Sequence, residues 1–309
     1  MDRIASILGQ DPIALPPQTR IKAQTPDLDL SDTRISFGDA LELGECGLLP
    51  LIAERNSSLG RQKQESTRLM YEWALKYGLD QCSPLNDQEW FQKARIAKTK
   101  DVEASVIKLL TQSEEADRIH SKINQPFATL AESRIEYINR TQPVAQLITQ
   151  ALRKAAPPSN ATITQFEESL RTWSQTQHHG SLHQAIIEAR IWLQTANTLQ
   201  RSAMEANQMC PMGTPTERGR NMQIFIRNYF GGTIQPKLSS ITRGLDELNS
   251  IWSGLPITLW THDTLVDALL ALPPGYRDEL RKELGMHITN WQRLLQSCGL
   301  SARADTTNS

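Results

Sequence analysis

Long apolar runs are missing from this chain, and no stretch approaches the roughly 18 consecutive apolar residues that a membrane-spanning helix needs. A surplus of either charge is missing as well. With 33 Lys and Arg against 34 Asp and Glu, the formal net charge is −1. No bulk field therefore draws the molecule to nucleic acid or to an anionic membrane, and any polyanion contact has to come from a local patch. Cysteine is sparse: Cys46, Cys82, Cys210 and Cys298 make no C-x-x-C pair and no metal-ligand spacing. A chain of 309 residues does not need cross-links to hold its fold, so free thiols in a reducing compartment are the expectation. The phosphate loops of Walker and Rossmann form are absent, as are Gly-x-Ser-x-Gly and His-Glu-x-x-His, and so is the βαβ alternation of a nucleotide-binding enzyme. The first eight residues, Met-Asp-Arg-Ile-Ala-Ser-Ile-Leu, do not form a basic start before a long apolar core. A cytoplasmic protein, exported if at all without a cleaved signal peptide, is the corresponding expectation.

What is present is helical periodicity. A hydrophobic fraction of 39% and a mean hydropathy of −0.44 suit amphipathic helices with wide polar faces. The expected fold is all-α: one or more elongated multi-helix bundles with an irregular N-terminal arm. The arm covers residues 1–57, and Pro12, Pro16, Pro17 and Pro26 punctuate its first part. Residues 58–155 form an N-terminal helical region. Within it Leu69, Trp73 and Tyr77 share a face, and Gly78 is placed to end the helix. Asn86 and Glu89 have the spacing of a helix start. Val102, Val106, Leu109 and Leu110 continue the apolar side, with Glu114 four residues before Arg118. Phe127, Leu130, Ile135 and Ile138 extend the stripe, and Pro143 breaks or kinks it. Ala155-Ala-Pro-Pro-Ser-Asn-Ala-Thr162 reads as a loop, and residues 156–162 are the expected linker.

A second helical region covers 163–300. Thr164 with Glu167, and Ser181 with Gln184, have capping-box spacing, and Gly180 closes the helix between them. Ile163, Phe166, Leu170 and Trp173 repeat at three, four, three. Ile186, Leu193, Leu199 and Ala203 mark a long helix. Between Gln208 and Asn221 the run Met-Cys-Pro-Met-Gly-Thr-Pro-Thr-Glu-Arg-Gly-Arg interrupts the helices, since neither its prolines nor its glycines sustain one. Thr216 is placed to cap the next helix, which carries Met222, Phe225, Ile226 and Tyr229 and meets Gly231-Gly232. Leu238, Ile241, Leu245, Leu248 and Trp252 follow a heptad alternation too short for a free coiled coil. Shorter helices over 264–272, 276–284 and 289–298 follow, and 301–309 is a polar tail.

Candidate sites are few. His178, His179 and His183 cluster near Glu188, but Gly180 and Ser181 separate them, so they share no chelating face, and no metal or cofactor is expected. His262-Asp263 is an acid/base pair without a visible partner. In the break, Cys210 near Arg218 and Arg220 has the surroundings of a lowered thiol pKa or an anion contact. Met209 and Met212 fit a loop that packs back on the bundle. Leu28, Leu30, Ile35 and Phe37 alternate with polar residues, as in a segment that adds to a partner's sheet edge or groove.

Residues 276–299 have the cadence of a helix-turn-helix, with Gly285 at the turn and Thr289, Asn290, Gln292 and Arg293 on the second helix. Against it, Arg281 and Trp291 stand where smaller residues are usual, and no basic footprint surrounds them. The functional expectation is a protein–protein interaction protein without catalytic residues. Its form suits a bacterial secretion-associated effector or regulator whose N-terminal arm, with Arg218 and Arg220, meets a chaperone or partner. The alternatives are a DNA-binding regulator using 276–299 and a viral or phage structural protein.

Overall fold

A computed structural model describes residues 1–14, 37–57, 64–121, 130–153, 155–176, 178–207, 209–256, 258–259 and 274–301. Among them every regular element is helical, so the all-α class holds. In chain order these are α1 (Asp2–Leu8), α2 (Phe37–Glu42), a 3₁₀ turn (Leu43–Cys46), α3 (Leu49–Asn56), α4 (Glu65–Gln81), α5 (Glu89–Gln112) and α6 (Glu114–Ser121). Then come α7 (Leu130–Leu152), α8 (Asn160–Ser174), α9 (His178–Ala206), α10 (Glu217–Phe225), a π-helical segment (Ile226–Ile234), α11 (Gln235–Trp252) and α12 (Pro274–Ser297).

The periodic stripes found their partners. Val102, Val106, Leu109 and Leu110 of α5, Phe166, Leu170 and Trp173 of α8, and Leu238 to Trp252 of α11 all lie in one large buried cluster. Trp173 and Trp252 meet edge-on at 6.3 Å near its centre, an arrangement that suits the ring quadrupoles. Helices from both sides of 156–162 contribute to this cluster, and the Trp73 indole donates to the Ala155 carbonyl at 2.7 Å. Ile135 departs from its stripe and is exposed, while Tyr137 takes the buried place. The expected Glu114–Arg118 pair is present at 2.9 Å.

A second cluster joins Ile4, Ala5 and Leu8 of α1 to the last turns of α9, to Met222 and Phe225 of α10, and to Trp291, Leu294 and Leu295 of α12. The start of the expected arm is thus a docked helix: positions 4, 5 and 8 share one helical face and are buried there. A third cluster gathers Leu43, Leu48, Tyr71, Leu75, Leu79 and Phe91 around the α4–α5 hairpin. That hairpin also buries charge. Lys98 pairs with Glu72 at 3.0 Å and with Asp101 at 2.7 Å. Lys76 pairs with Asp80, which also receives Arg95 at 3.3 Å.

Several expected helix ends lie inside helices. A glycine stops a helix by turning left-handed, and among the described residues only Gly9, Gly47, Gly213 and Gly299 do so. Gly78 instead lets Leu48 sit against α4, where a Cβ would come 2.3 Å from the Leu48 Cδ2 methyl. Gly231 and Gly232 lie in the π-helical segment. The segment fits Pro236, which has no N–H to give the Gly232 carbonyl. The chain takes a wider turn in which the Gln235 N–H reaches the Phe230 carbonyl. Pro143 removes one rung of α7 without ending it. Gly285 lies in the middle of α12, which runs unbroken from Pro274 to Ser297, so the helix-turn-helix expected over 276–299 has no turn.

Two starts also moved. Ser159, not Thr164, caps α8 by accepting from the Thr162 N–H at 3.3 Å. Residues 178–181 form the first turn of α9 rather than a break before it. α5 starts at Glu89 and runs as one helix through both expected segments, with the Asn86 carbonyl accepting from Gln92 instead of capping. His262-Asp263 and the helix expected over 264–272 lie outside the described residues.

Candidate contact site: the pinned loop after α9

The cysteines are the largest correction. Cys46 is bonded to Cys82 and Cys210 to Cys298, with Cα separations of 5.4 and 5.0 Å. Sequence separations of 36 and 88 hid both pairs, because pairing follows from spatial neighbourhood and not from spacing. Cys210 is therefore neither a free thiol nor a nucleophile, and it is buried together with Cys298.

This bond fixes the break in place. Asn207, just after α9, is left-handed. Met209 and Cys210 then turn inward into the second cluster. The Met209 carbonyl accepts from the Thr216 N–H at 3.1 Å and from the Thr216 hydroxyl at 2.6 Å. The same Thr216 oxygen accepts from the Gly219 N–H at 3.3 Å and so caps α10 as expected. At position 219 a Cβ would lie 3.0 Å from both the Cys210 sulfur and the Met209 carbonyl, so only glycine lets α10 approach this closely. On the other side, Cys298 follows the last turn of α12, where left-handed Gly299 ends the helix and Leu300 N–H returns to the Leu295 carbonyl.

Between those anchors the chain forms a small projecting loop. Gly213 N–H bonds to the Cys210 carbonyl at 3.0 Å and Thr214 N–H to the Pro211 carbonyl at 3.3 Å. Met212 stands at the tip, left-handed at φ 57° and 99% exposed. Of the two methionines expected to pack back, Met209 does so and Met212 points away. A non-glycine residue with positive φ is held there by its surroundings at a cost of roughly 1–3 kcal/mol. Arg220 hydrogen-bonds the Pro215 carbonyl at 3.1 Å and stays with the loop. Arg218 reaches the other way and lies over Gly9, where a Cβ would fall 2.0 Å from its guanidinium. There its charge faces the C-terminal end of α1, the favourable end for a cation.

The remaining candidate residues are dispersed. Leu28, Leu30 and Ile35 lie outside the described residues, and so does the side chain of Phe37, which opens α2. Thr289, Gln292 and Arg293 are exposed on α12. Asn290 is buried and donates to Gln200 at 3.2 Å, so it serves packing.

His178 and His179 are core residues and not part of a solvated turn. His179 Nδ1 meets the Tyr137 hydroxyl at 2.9 Å. Burial, and then the charge of Arg134, hold His178 down at about 4, while burial holds the Tyr137 phenol above its ordinary value. The His183 side chain is outside the described residues. Among those described, no three His, Cys, Asp or Glu side chains gather as a metal site would require.

Residues 1–302 match a family model described as "Protein of unknown function (DUF3080)". The chain belongs to that family. No curated protein matches it, and no solved structure does. Sequence reasoning found the break, its Thr216 cap and its two arginines. It missed the disulfide and the outward Met212, because both depend on where α12 ends.

Proposed function

We propose that this DUF3080 protein works by contact with another protein, and that the Cys210–Thr216 loop is a point of that contact. The observation that carries the proposal is Met212, fully exposed at the tip of a loop fastened by a disulfide and a doubly bonded threonine. An apolar side chain that the fold holds away from its own core has no use in packing. Methionine's flexible, polarisable side chain suits varied protein surfaces. Fixing the loop beforehand lowers the ordering entropy of association. Arg220, held beside it, adds a residue type enriched where proteins meet.

The two disulfides support an oxidising compartment as the place of that contact. Alkylation of thiols at the moment of lysis then finds none of the four cysteines reactive, whereas four reactive thiols would place the protein in a reducing one. The contact itself is tested with a photo-crosslinking residue at position 212 in the producing cell. A second is placed at Ile96, also an exposed apolar residue, at 63%, but on α5. A discrete adduct from 212 that is missing from 96 supports the proposal. Indistinguishable patterns from the two positions would remove the loop from it.

A further inference from the structure

α9 and α11 run antiparallel and touch closely where Gly244 faces Leu182, a Cβ at 244 falling 3.1 Å from a leucine methyl. Beyond that contact a groove of about 450 Å³ opens between them. Ala185, Ala189 and Trp192 line it from α9, at positions i, i+4 and i+7. Ile234, Leu238 and Ile241 line it at the same spacing from the end of the π-helical segment and from α11. Seven residues of helix rise about 10 Å, which sets the length of the trough. The two alanines leave the space that larger side chains would fill, and Ile4 of α1 also lines it.

The mouth has a different character. Arg3 stacks over the Tyr229 ring with its guanidinium 4.5 Å from the centroid, and Lys237, exposed, lines the same groove. No described acid pairs with Lys237. The one carboxylate at the rim, Glu188, already accepts from Gln184 at 2.7 Å. An apolar trough thus ends at two cations and one carboxylate, a rim of net positive charge. A π-helical segment, which recurs at functional sites, supplies part of its wall.

At about 450 Å³ the groove falls within the ~300–1,000 Å³ range of small-molecule sites, and a trough of about 10 Å lined by apolar side chains suits a single alkyl chain. From these features we propose that the groove binds one single-chain anionic amphiphile. Its alkyl chain lies along Ala185, Ala189 and Trp192, and its carboxylate or equivalent head lies between Arg3 and Lys237.

The test is calorimetric titration of the full chain with dodecanoate, dodecyltrimethylammonium and octanoate, each below its micelle concentration. Dodecanoate is expected to bind saturably at one site per chain, at least tenfold more tightly than either of the others. Lys237→Glu, a change at an exposed position, should weaken dodecanoate tenfold or more while leaving the melting temperature in place. Ala189→Trp should abolish binding by filling the trough; circular dichroism checks that this variant folds. Unchanged dodecanoate binding by both variants would overturn the proposal, and so would equal affinity for the alkylammonium. A third arm uses vesicles of diacyl phosphatidylglycerol. Retention on them that dodecanoate does not compete away would assign the groove's cations to a membrane surface and also overturn it.

Discussion

At the scale of single residues, His287 shows how a buried polar group is made permanent. It projects from α12, fully buried against α9. The Trp291 indole, which can only donate, points at His287 Nε2 at 3.0 Å. That ring nitrogen must accept, so Nδ1 carries the proton and donates to Asn197 Oδ1 at 3.2 Å. Asn197 passes its own N–H groups to Glu283, at 2.7 Å to the carboxylate and 3.1 Å to the carbonyl. A second proton on His287 would face the indole N–H, and burial already holds the imidazole down at about 3.

The consequence for stability has a definite sign. Below the unfolded value of about 6.5 the unfolded chain binds protons that the native one refuses. His287 therefore withdraws stability as pH falls from there toward 3, and His178 does so toward 4. Between pH 7 and pH 5 each loss is about 2 kcal/mol. His287→Gln keeps an acceptor for the indole and removes the titration. Urea unfolding should show it less stable than the natural protein at pH 7, but with a loss on going to pH 5 that is smaller by about 2 kcal/mol. The same loss in both proteins would mean that the native His287 does accept the proton.

At the scale of elements, the sequence was most legible where a stripe of apolar residues was long. The repeats in α5, α8, α9 and α11 predicted buried faces, and those faces are buried. Ends were less legible, because Gly and Pro announce a stop that tertiary packing can overrule. Gly78, Gly231 and Gly285 all sit within continuous helical runs. Gly9 and Gly299 do stop their helices, and nothing local distinguishes the two groups. The buried charges of the α4–α5 hairpin were illegible for a related reason. Glu72, Lys98 and Asp101 look like any solvated helix face until the other helix is present.

Two glycines now give opposite predictions. A Cβ at Gly285 meets nothing within 4 Å, so Gly285→Ala gains only helix propensity and should stabilise by roughly 0.5–1 kcal/mol. A Cβ at Gly219 meets backbone and a disulfide sulfur at 3.0 Å, so Gly219→Ala should destabilise by roughly 1–3 kcal/mol. Chemical denaturation of the two variants decides. A destabilising Gly285→Ala would restore a turn at that position.

At the scale of the whole molecule, long-range fastening explains why the first turns of the expected arm, Asp2–Leu8, are a docked helix. α9 and α12 run parallel, as pairs from Arg190–Glu279 to Gln200–Asn290 show by keeping nearly constant offset. Both helices therefore finish at the same end of the molecule. There α1 covers them, and Cys210–Cys298 ties the start of the projecting loop to the end of α12. A bond closing a separation of 88 residues contributes on the order of 2–5 kcal/mol, mainly by restricting the unfolded chain. Its local effect is separate from that global one. With the bond intact, the loop has one end held by sulfur and the other by the Thr216–Met209 hydrogen bonds. With it cut, the first anchor is reduced to the packing of Met209, and the six residues from Cys210 to Pro215 gain freedom. Cys210→Ser with Cys298→Ser should therefore lower the unfolding midpoint. At temperatures where the variant is still folded, it should also open a new protease cut within 210–216, which mass spectrometry of the fragments would locate. If the variant resists cleavage there as well as the oxidised protein does, Thr216 alone holds the loop. The preorganisation that gives Met212 its fixed place at the surface would then be a property of the helix cap and not of the disulfide.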